Sequence, residues 1–243
     1  MASILLVSLN IERSLQLRRV LPLLREQKAD VVALQEVYER DIPKLAEAAG
    51  TAHVFVPMTS YIRETPSEIM GVAIFSRLPI RQQHVLYYGG DFDTIPELDQ
   101  EDPETWNNKR FPVLFCDVEK DGMTFRIGNI HHTWTPDGLP TALQRQHTKS
   151  LLEILQSSGE FVLCGDLNAP RGGEIFDMIA AKYKDNVPPG IISSLDPDLH
   201  RAKGLELVVD GIFSTPAYTV SGVEMISGVS DHRALLATIS TTD

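Results

Sequence analysis

The chain reads as a series of short apolar runs, each of which stops at a polar residue. Residues 3–9 (SILLVSL) are mostly apolar and end at Asn10, which predicts a buried strand. Leu17, Val20, Leu21 and Leu24 recur at helical spacing within residues 15–28. Pro22 lies among them and lacks the N–H that a helix interior uses, so the helix is expected to start near Leu21 or to kink there. Residues 31–34 form a second apolar run ending at Gln35 and Glu36. Asp41 as N-cap, Pro43 in the first turn and Gly50 as stop predict a short helix. Residues 52–58 and 70–75 predict strands. Residues 111–118 and 124–130 alternate around a Lys120-Asp121-Gly122 turn and predict a hairpin that runs into His131. Thr141 caps an amphipathic helix that continues to Leu155 and is closed by Gly159. Phe161, Val162, Leu163 and Cys164 form a strand that breaks at Gly165, just before Asp166 and Asn168. A helix near 174–183, a Pro/Gly-rich loop at 187–190, a strand over 205–213 interrupted by Asp210, and a last strand over 234–239 complete the pattern.

Strands separated by helices in some stretches and by turns in others fit two sheets packed face to face with helices outside. No repeat, low-complexity tract or linker divides the chain, so one domain over residues 1–243 is expected. No apolar stretch approaches the ~18 residues of a spanning helix, and membrane insertion is not expected. The run at residues 1–10 is short and has no basic flank, so it reads as a first strand and not as a signal peptide. Cys116 and Cys164 have no metal-type spacing and read as free core thiols of a reducing compartment, with the cytoplasm as the expected location.

Charge narrows the partners. The net charge is −11 and the basic residues are scattered. Tight non-specific binding to nucleic acid needs clustered Lys and Arg to neutralise phosphates, and an anionic membrane surface needs the same. An acidic protein can still cut nucleic acid if a metal supplies positive charge locally. Residues 91–104 carry seven acids and no Lys or Arg; they read as a solvated loop or, more sharply, as a substrate lid.

Candidate chemistry sits where polar residues end or break the apolar runs: Asn10, Glu36, His131, Asp166, Asn168, Asp210, Asp231 and His232. Taken singly, each is an ordinary cap, turn residue or satisfied histidine. Their repetition at the ends of five apolar runs is harder to assign to caps alone. Asp210 is the sharpest case, because it stands between Val208-Val209 and Ile212-Phe213, where an unpaired charge is costly. It needs a partner, and a histidine is a natural one. The set is rich in carboxylate and amide oxygens and has no zinc spacing, which suits Mg2+ or Mn2+. Phosphoryl transfer needs a cation, a group to orient or deprotonate water, and donors for developing negative charge. All three are present in this inventory.

The motifs LVSLNIE, VVALQEV, GVAIFSRLPI, GNIHHTW, CGDLNAP, VVDGIF and VSDHRAL follow one another in order from Ser8 to Leu235. Together the chain resembles the endonuclease/exonuclease/phosphatase superfamily of metal-dependent phosphoesterases. The resemblance implies an α+β fold, a four-layer α/β/β/α sandwich of two mixed sheets with the site at one edge. It implies Glu36 as the main metal ligand, with Asn10 and Asp231 completing the shell directly or through water, and Mg2+ or Mn2+ as cofactor. Asp166 would orient or deprotonate the attacking water, and Asn168 would hold a phosphate oxygen. Asp210 would fix the tautomer of His232, whose imidazolium stabilises charge; an alternative scheme in the family gives the base role to that histidine. His131 would contact phosphate or the leaving side. It is preferred over His132 because Asn129, His131, Trp134 and Pro136 match an Asn-x-His-x-x-Trp-x-Pro pattern of deadenylase-like members, and only one of two strand neighbours can face the site. Arg77 and Arg110 are expected to support the fold. Glu12 stands where many DNA-processing members have Asp. Trp134 replaces a small polar group used by some DNA-repair members, and Gly211 follows Asp210 where an aromatic is frequent. The expected substrate is a phosphodiester of DNA or RNA, cleaved in a nuclease or tyrosyl-DNA-phosphodiesterase-like reaction by a monomer. A phosphate ester of a small molecule or lipid is the alternative, and a non-catalytic scaffold of the same fold the third reading.

Overall fold

In the computed structural model, which describes residues 2–64, 66–91 and 93–242, the apolar runs become the central strands of two sheets, which hold thirteen strands among the described residues. Met1, Thr65, Asp243 and Phe92, which falls in the acidic stretch, lie outside the described residues. The elements in chain order are β1 (Ser3–Asn10), α1 (Leu17–Gln27), β2 (Val31–Tyr38), α2 (Ile42–Ala49), β3 (Ala52–Tyr61), β4 (Glu68–Ser76) and β5 (Ile80–Gly89). There follow β6 (Glu97–Leu98), β7 (Phe111–Lys120), β8 (Met123–His131), α3 (Ala142–Ser157), β9 (Val162–Asp166) and α4 (Glu174–Ala180). The last are β10 (Lys184–Asp185), β11 (Asp210–Ser214), β12 (Tyr218–Ile226) and β13 (Ala234–Thr241). One sheet has the order β12-β13-β1-β2-β4-β3-β6 and the other β10-β11-β9-β8-β7-β5. Both are mixed, since β1 and β2 run parallel in the first and β8 and β9 in the second.

Strand alternation sets the layers. Val7, Leu9, Val32, Leu34 and Phe75 pack with Val20, Leu23 and Leu24 of α1 and Leu45 and Ala48 of α2. Their sequence neighbours Ile4, Leu6, Val31 and Ala33 belong to the core shared with the second sheet, which extends to Leu151 and Leu155 of α3 and Phe176 and Ile179 of α4. The result is a four-layer α/β/β/α sandwich. No helix among the described residues is long and apolar enough to cross a membrane.

Several local expectations change. Helix α1 starts at Leu17 and continues through Pro22. Pro22 and Arg18 both lie on the exposed side, so the carbonyl that loses its N–H partner is open to water. Asp41 makes no capping bond; it is buried and accepts a hydrogen bond from the Ser14 hydroxyl. The strand expected over 205–213 begins only at Asp210, because the Val208 and Val209 carbonyls accept from Arg171 and Leu167 in the loop after β9. Strands β5 and β12 have no counterpart in the apolar pattern. Each is the outer strand of its sheet and is largely exposed, so it lacks the half-buried alternation that marks a strand. The acidic stretch is not a loop throughout: β6 pairs with β3, and Leu98 is buried.

One irregularity positions the site. The register of β2 on β4 slips between Leu34 and Val37, so Gln35 and Glu36 form a bulge, and Glu36 takes φ 55°. Gln35 turns into the space between the sheets. Its Nε2 donates to Asn129 Oδ1 of β8 at 2.7 Å. Asn129 Nδ2 in turn donates to the carbonyls of Leu34 and Ala73, both at 2.9 Å. Three hydrogen bonds thus join the sheets beneath Glu36. Asn129→Leu removes all three and is expected to cost about 3 kcal/mol at ~1 kcal/mol each. Urea unfolding should show it as a lower midpoint with an unchanged slope.

Candidate active site

The strand ends bring the polar residues together. His131 of β8 is the register partner of Asp166 of β9, and Asp166 is the partner of Asp210 of β11. The three therefore stand in one row across three neighbouring strands. From the other sheet, Asn10 at the end of β1 pairs with Gln35, which places Glu36 beside it. Asp231 and His232 arrive on the approach to β13, where His232 bridges to Leu195. The backbone is strained here. Glu12, Arg13, Glu36 and Asn168 have φ of 48°, 59°, 55° and 49°, at roughly 1 kcal/mol or more for each non-glycine residue. Such strain collects at functional sites, where surrounding packing imposes it.

Asp166 is the hub. Its Oδ1 accepts the Asn168 backbone N–H at 2.7 Å, and its Oδ2 accepts Asn10 Nδ2 at 3.0 Å. His131 Nε2 stands 3.6 Å from the same Oδ2 and 3.8 Å from Glu36 Oε1. His232 Nε2 is 3.8 Å from Asp166 Oδ2, and its Nδ1 is 2.8 Å from Asp210 Oδ2. Asn10 Nδ2 also reaches Glu36 at 3.4 Å, while its Oδ1 accepts the Glu12 N–H at 3.1 Å. Asn168 Nδ2 donates to the His132 carbonyl at 3.0 Å. Asp231 accepts from the Ser230 hydroxyl at 3.0 Å.

Burial sets the protonation of these groups. It lowers His232, but Asp210 and Asp166 overcome it and hold the imidazole charged well above its ordinary range. Burial raises the Asp166 carboxyl; Asp210 adds to the rise, and His232 and His131 offset only part of it. Burial likewise raises Asp231 to about 6, with Glu36 and Glu12 adding repulsion. For Glu36 the burial penalty is outweighed by His131, Lys109 and Arg13, and its carboxyl stays below the usual range. Burial lowers His131, and Lys109 adds to that. Its Nδ1 is buried without a hydrogen-bond partner among the described residues.

Asp166, Asp210 and His232 bring potential metal-ligand atoms within 4.8 Å of one another. The Nδ1 of His232 is committed to Asp210, and an imidazolium has no lone pair to offer a cation. That cluster is better suited to holding a proton. Glu36, Asp231 and the second lone pair of Asn10 Oδ1 offer hard oxygens that fit Mg2+ or Mn2+.

Asn10, Glu36, His131, Asp166, Asn168, Asp231 and His232 line one pocket, with Asp210 directly behind His232. His132 turns away: its Nε2 meets the Thr148 hydroxyl at 2.9 Å and its Nδ1 the Tyr88 hydroxyl at 3.3 Å. Arg77 donates to the Ala48 carbonyl and lies outside the pocket. The pocket also holds Arg13, Tyr61, Trp106, Lys109, His200 and Arg201, none of which ends an apolar run. The segment around Ser194 and Asp196 was equally silent. Ser194 Oγ accepts the Val209 and Asp210 N–H groups, and the Asp196 N–H donates to the Asp231 carbonyl. This segment therefore braces two of the acids.

The family model described as the Endonuclease/Exonuclease/phosphatase family matches residues 7–232, and the chain belongs to that family. Its members are generally hydrolases acting on phosphoester bonds. No curated protein matches the chain by sequence. Among solved structures, it is similar to an endonuclease/exonuclease/phosphatase from Bacteroides vulgatus, with TM-score 0.76, 16% identity and 100% of both chains covered. It is also similar to a mannosyl-6-phosphatase of Bacteroides thetaiotaomicron, with TM-score 0.65 and 12% identity over 98% of this chain and 99% of that one. A third is the human nocturnin catalytic domain with a bound sulfate anion, with TM-score 0.68 and 16% identity over 99% of this chain and 95% of that one. At these identities the likeness is one of fold.

His132 yields a pH prediction. Burial pushes its imidazole down to about 3, so the folded state keeps it neutral while the unfolded chain protonates near 6.5. Stability from this group is complete above pH 6.5 and is lost as pH falls toward 3. Between pH 7 and 5 the loss is about 2 kcal/mol. His132→Gln should show a correspondingly flatter fall of the urea midpoint over that range.

Proposed function

We propose that the chain is a divalent-cation-dependent phosphoesterase that hydrolyses its substrate by attack of water beside Asp166. The observation that carries this reading is the row His131, Asp166 and Asp210 on three adjacent strands, closed by a charged His232. The donor set fits a cation. Among the described residues Asp231 has only the Ser230 hydroxyl as its side-chain donor, and it stands near Glu36 and Glu12, a repulsion that a bound cation relieves. Glu36 and Asp231, with Asn10, would hold Mg2+ or Mn2+, which when bound neutralises phosphate charge and polarises the ester.

The protein's own groups do the rest. Asp166, raised by burial, accepts the proton of the attacking water; the Asn168 and Asn10 donors fix the direction of its two oxygens. His232 keeps Nδ1–H on Asp210 and turns Nε2–H to the pocket, where it donates to a phosphate oxygen as negative charge develops. His131, its imidazole lowered by burial, stands between Glu36 and Asp166 and meets the phosphate from the other side. Asn168 uses one amide hydrogen on the His132 carbonyl, leaving the second for a phosphate oxygen.

Phosphodiesters of DNA or RNA are the substrate class that the sequence brings first. The net charge of −11 favours a second reading, a phosphate ester of a small molecule, as acted on by the mannosyl-6-phosphatase of the same fold. Two free, buried thiols suit a reducing compartment, and the protein would act there as one catalytic domain and as a monomer.

The test is hydrolysis of DNA, RNA, a 5′-tyrosyl oligonucleotide and small phosphate esters with Mg2+ or Mn2+. Asp166→Asn and His232→Ala should each lower kcat by about a hundredfold to ten-thousandfold. Chelation with EDTA should abolish turnover, and added Mg2+ or Mn2+ should restore it. Wild-type rates in both variants on a cleaved substrate would sink the reading.

A further inference from the structure

The chain has two tryptophans, Trp106 and Trp134, and both line this pocket. Their rings meet edge to face, with centroids 4.8 Å apart and planes at 69°. An edge-to-face pair of this kind is ordinarily core packing. Here each tryptophan is only half-buried and lines the cavity. The pair is held firmly. Trp106 Nε1 donates to the Gln100 carbonyl at 3.1 Å, and Asn107 Nδ2 donates to the Trp134 carbonyl at 3.1 Å. Trp134 lies three residues after His131, so its ring is tethered to a strand that ends in the site. Tyr61 lines the same pocket, with the Arg13 guanidinium 5.5 Å from its ring centre. Half of the site thus handles phosphate, and the other half is an aromatic surface.

We infer that Trp134, backed by Trp106, is a stacking site for one flat aromatic ring, and that the substrate is a small ring-bearing phosphate ester and not a nucleic-acid strand. This narrows the phosphoesterase reading and rests on it. Three observations favour a single unit over a strand. The cavity is about 240 Å3, below the roughly 300–1,000 Å3 of ordinary ligand pockets. Its cations, Arg13, Lys109 and Arg201, all belong to the pocket wall, where they can serve one phosphate group. The segment that supplies Gln100 and Trp106 to the wall also exposes Asp102 and Glu104, beside Glu101, which is paired with Arg63 at 3.0 Å. Those acids oppose the further phosphates of a polyanion, whose binding depends on neutralising several of them.

Because the only tryptophans are in the site, their fluorescence reports binding without any need for turnover. Adenosine 5′-monophosphate and ribose 5-phosphate carry the same sugar phosphate and differ in the base. In Mg2+ buffer the former should quench tryptophan emission and, by calorimetry, bind about tenfold or more tighter, the ordinary scale of base stacking on an aromatic side chain. Trp134→Ala should erase the difference, and Trp134→Phe should keep most of it. A mixed-sequence single-stranded oligonucleotide should bind more weakly than the mononucleotide at physiological salt. Equal affinities for the two small ligands overturn the proposal, and so does an oligonucleotide that binds tighter than the mononucleotide. If Trp134→Ala fails to fold, the wild-type comparison and Trp134→Phe decide. Failure of the proposal alone leaves ribose 5-phosphate and inorganic phosphate still binding; if neither binds, the phosphoesterase reading falls with it.

Discussion

The hydrogen bonds that Asn129 makes across the sheets are the constraint on which the site depends. A bulge in β2 disturbs the ladder at Leu34 and swings Glu36 out of strand alternation. A disturbed carbonyl inside a dry core is costly unless a donor reaches it. Asn129 supplies that donor from the opposite sheet, and Gln35 completes the link in return. The same bonds therefore pin sheet to sheet, stabilise the bulge and aim the carboxylate. Asn129 lies two residues before His131 on β8, so the lock also fixes where that histidine emerges.

Around this lock the protein gathers charge that is unfavourable until paired. Asp166 and Asp210 are both buried, and they are neighbours in the ladder. His232 is the group that makes them compatible, since its positive charge lies between them and is raised by both. Glu36 and Asp231 are balanced differently. Glu36 draws on His131, Lys109 and Arg13, while Asp231 keeps a raised carboxyl. The pocket thus holds one cluster neutralised from within, Asp166, Asp210 and His232, and one carboxyl, Asp231, whose repulsion by Glu36 and Glu12 is left uncompensated. Positive φ at Glu12, Arg13, Glu36 and Asn168 adds strain at the same place, and the rigid two-sheet core sustains it.

Much of the architecture was legible because burial imposes a pattern on the chain. The central strands β1, β2, β8 and β9 are buried and read as apolar runs, and their polar last residues read as candidate chemistry. Strands β5 and β12 were not legible. At the outer edges they pack little, so nothing constrains their side chains to alternate. Residue 22 did not set the helix start, which lies at Leu17; Pro22 sits on the exposed side, where the carbonyl that loses its N–H partner is solvated. Arg13, Lys109, His200 and Arg201 line the pocket from loops, where no periodicity marks a functional residue.

By itself the sequence determined the chemical inventory, the order in which it is delivered and the family to which the chain belongs. Each of those is local: an apolar run needs only its own residues to declare a strand. The tertiary structure alone decided which groups meet. Asp166 lies between His131 and Asp210 because of strand register, Glu36 faces the pocket because of a bulge supported from another sheet, and His132 faces Tyr88 and Thr148 while its neighbour faces the acids. It also decided that two tryptophans, distant in the chain, share one wall. Register, bulges and loop packing depend on residues far apart in sequence, so no single stretch of the chain encodes them.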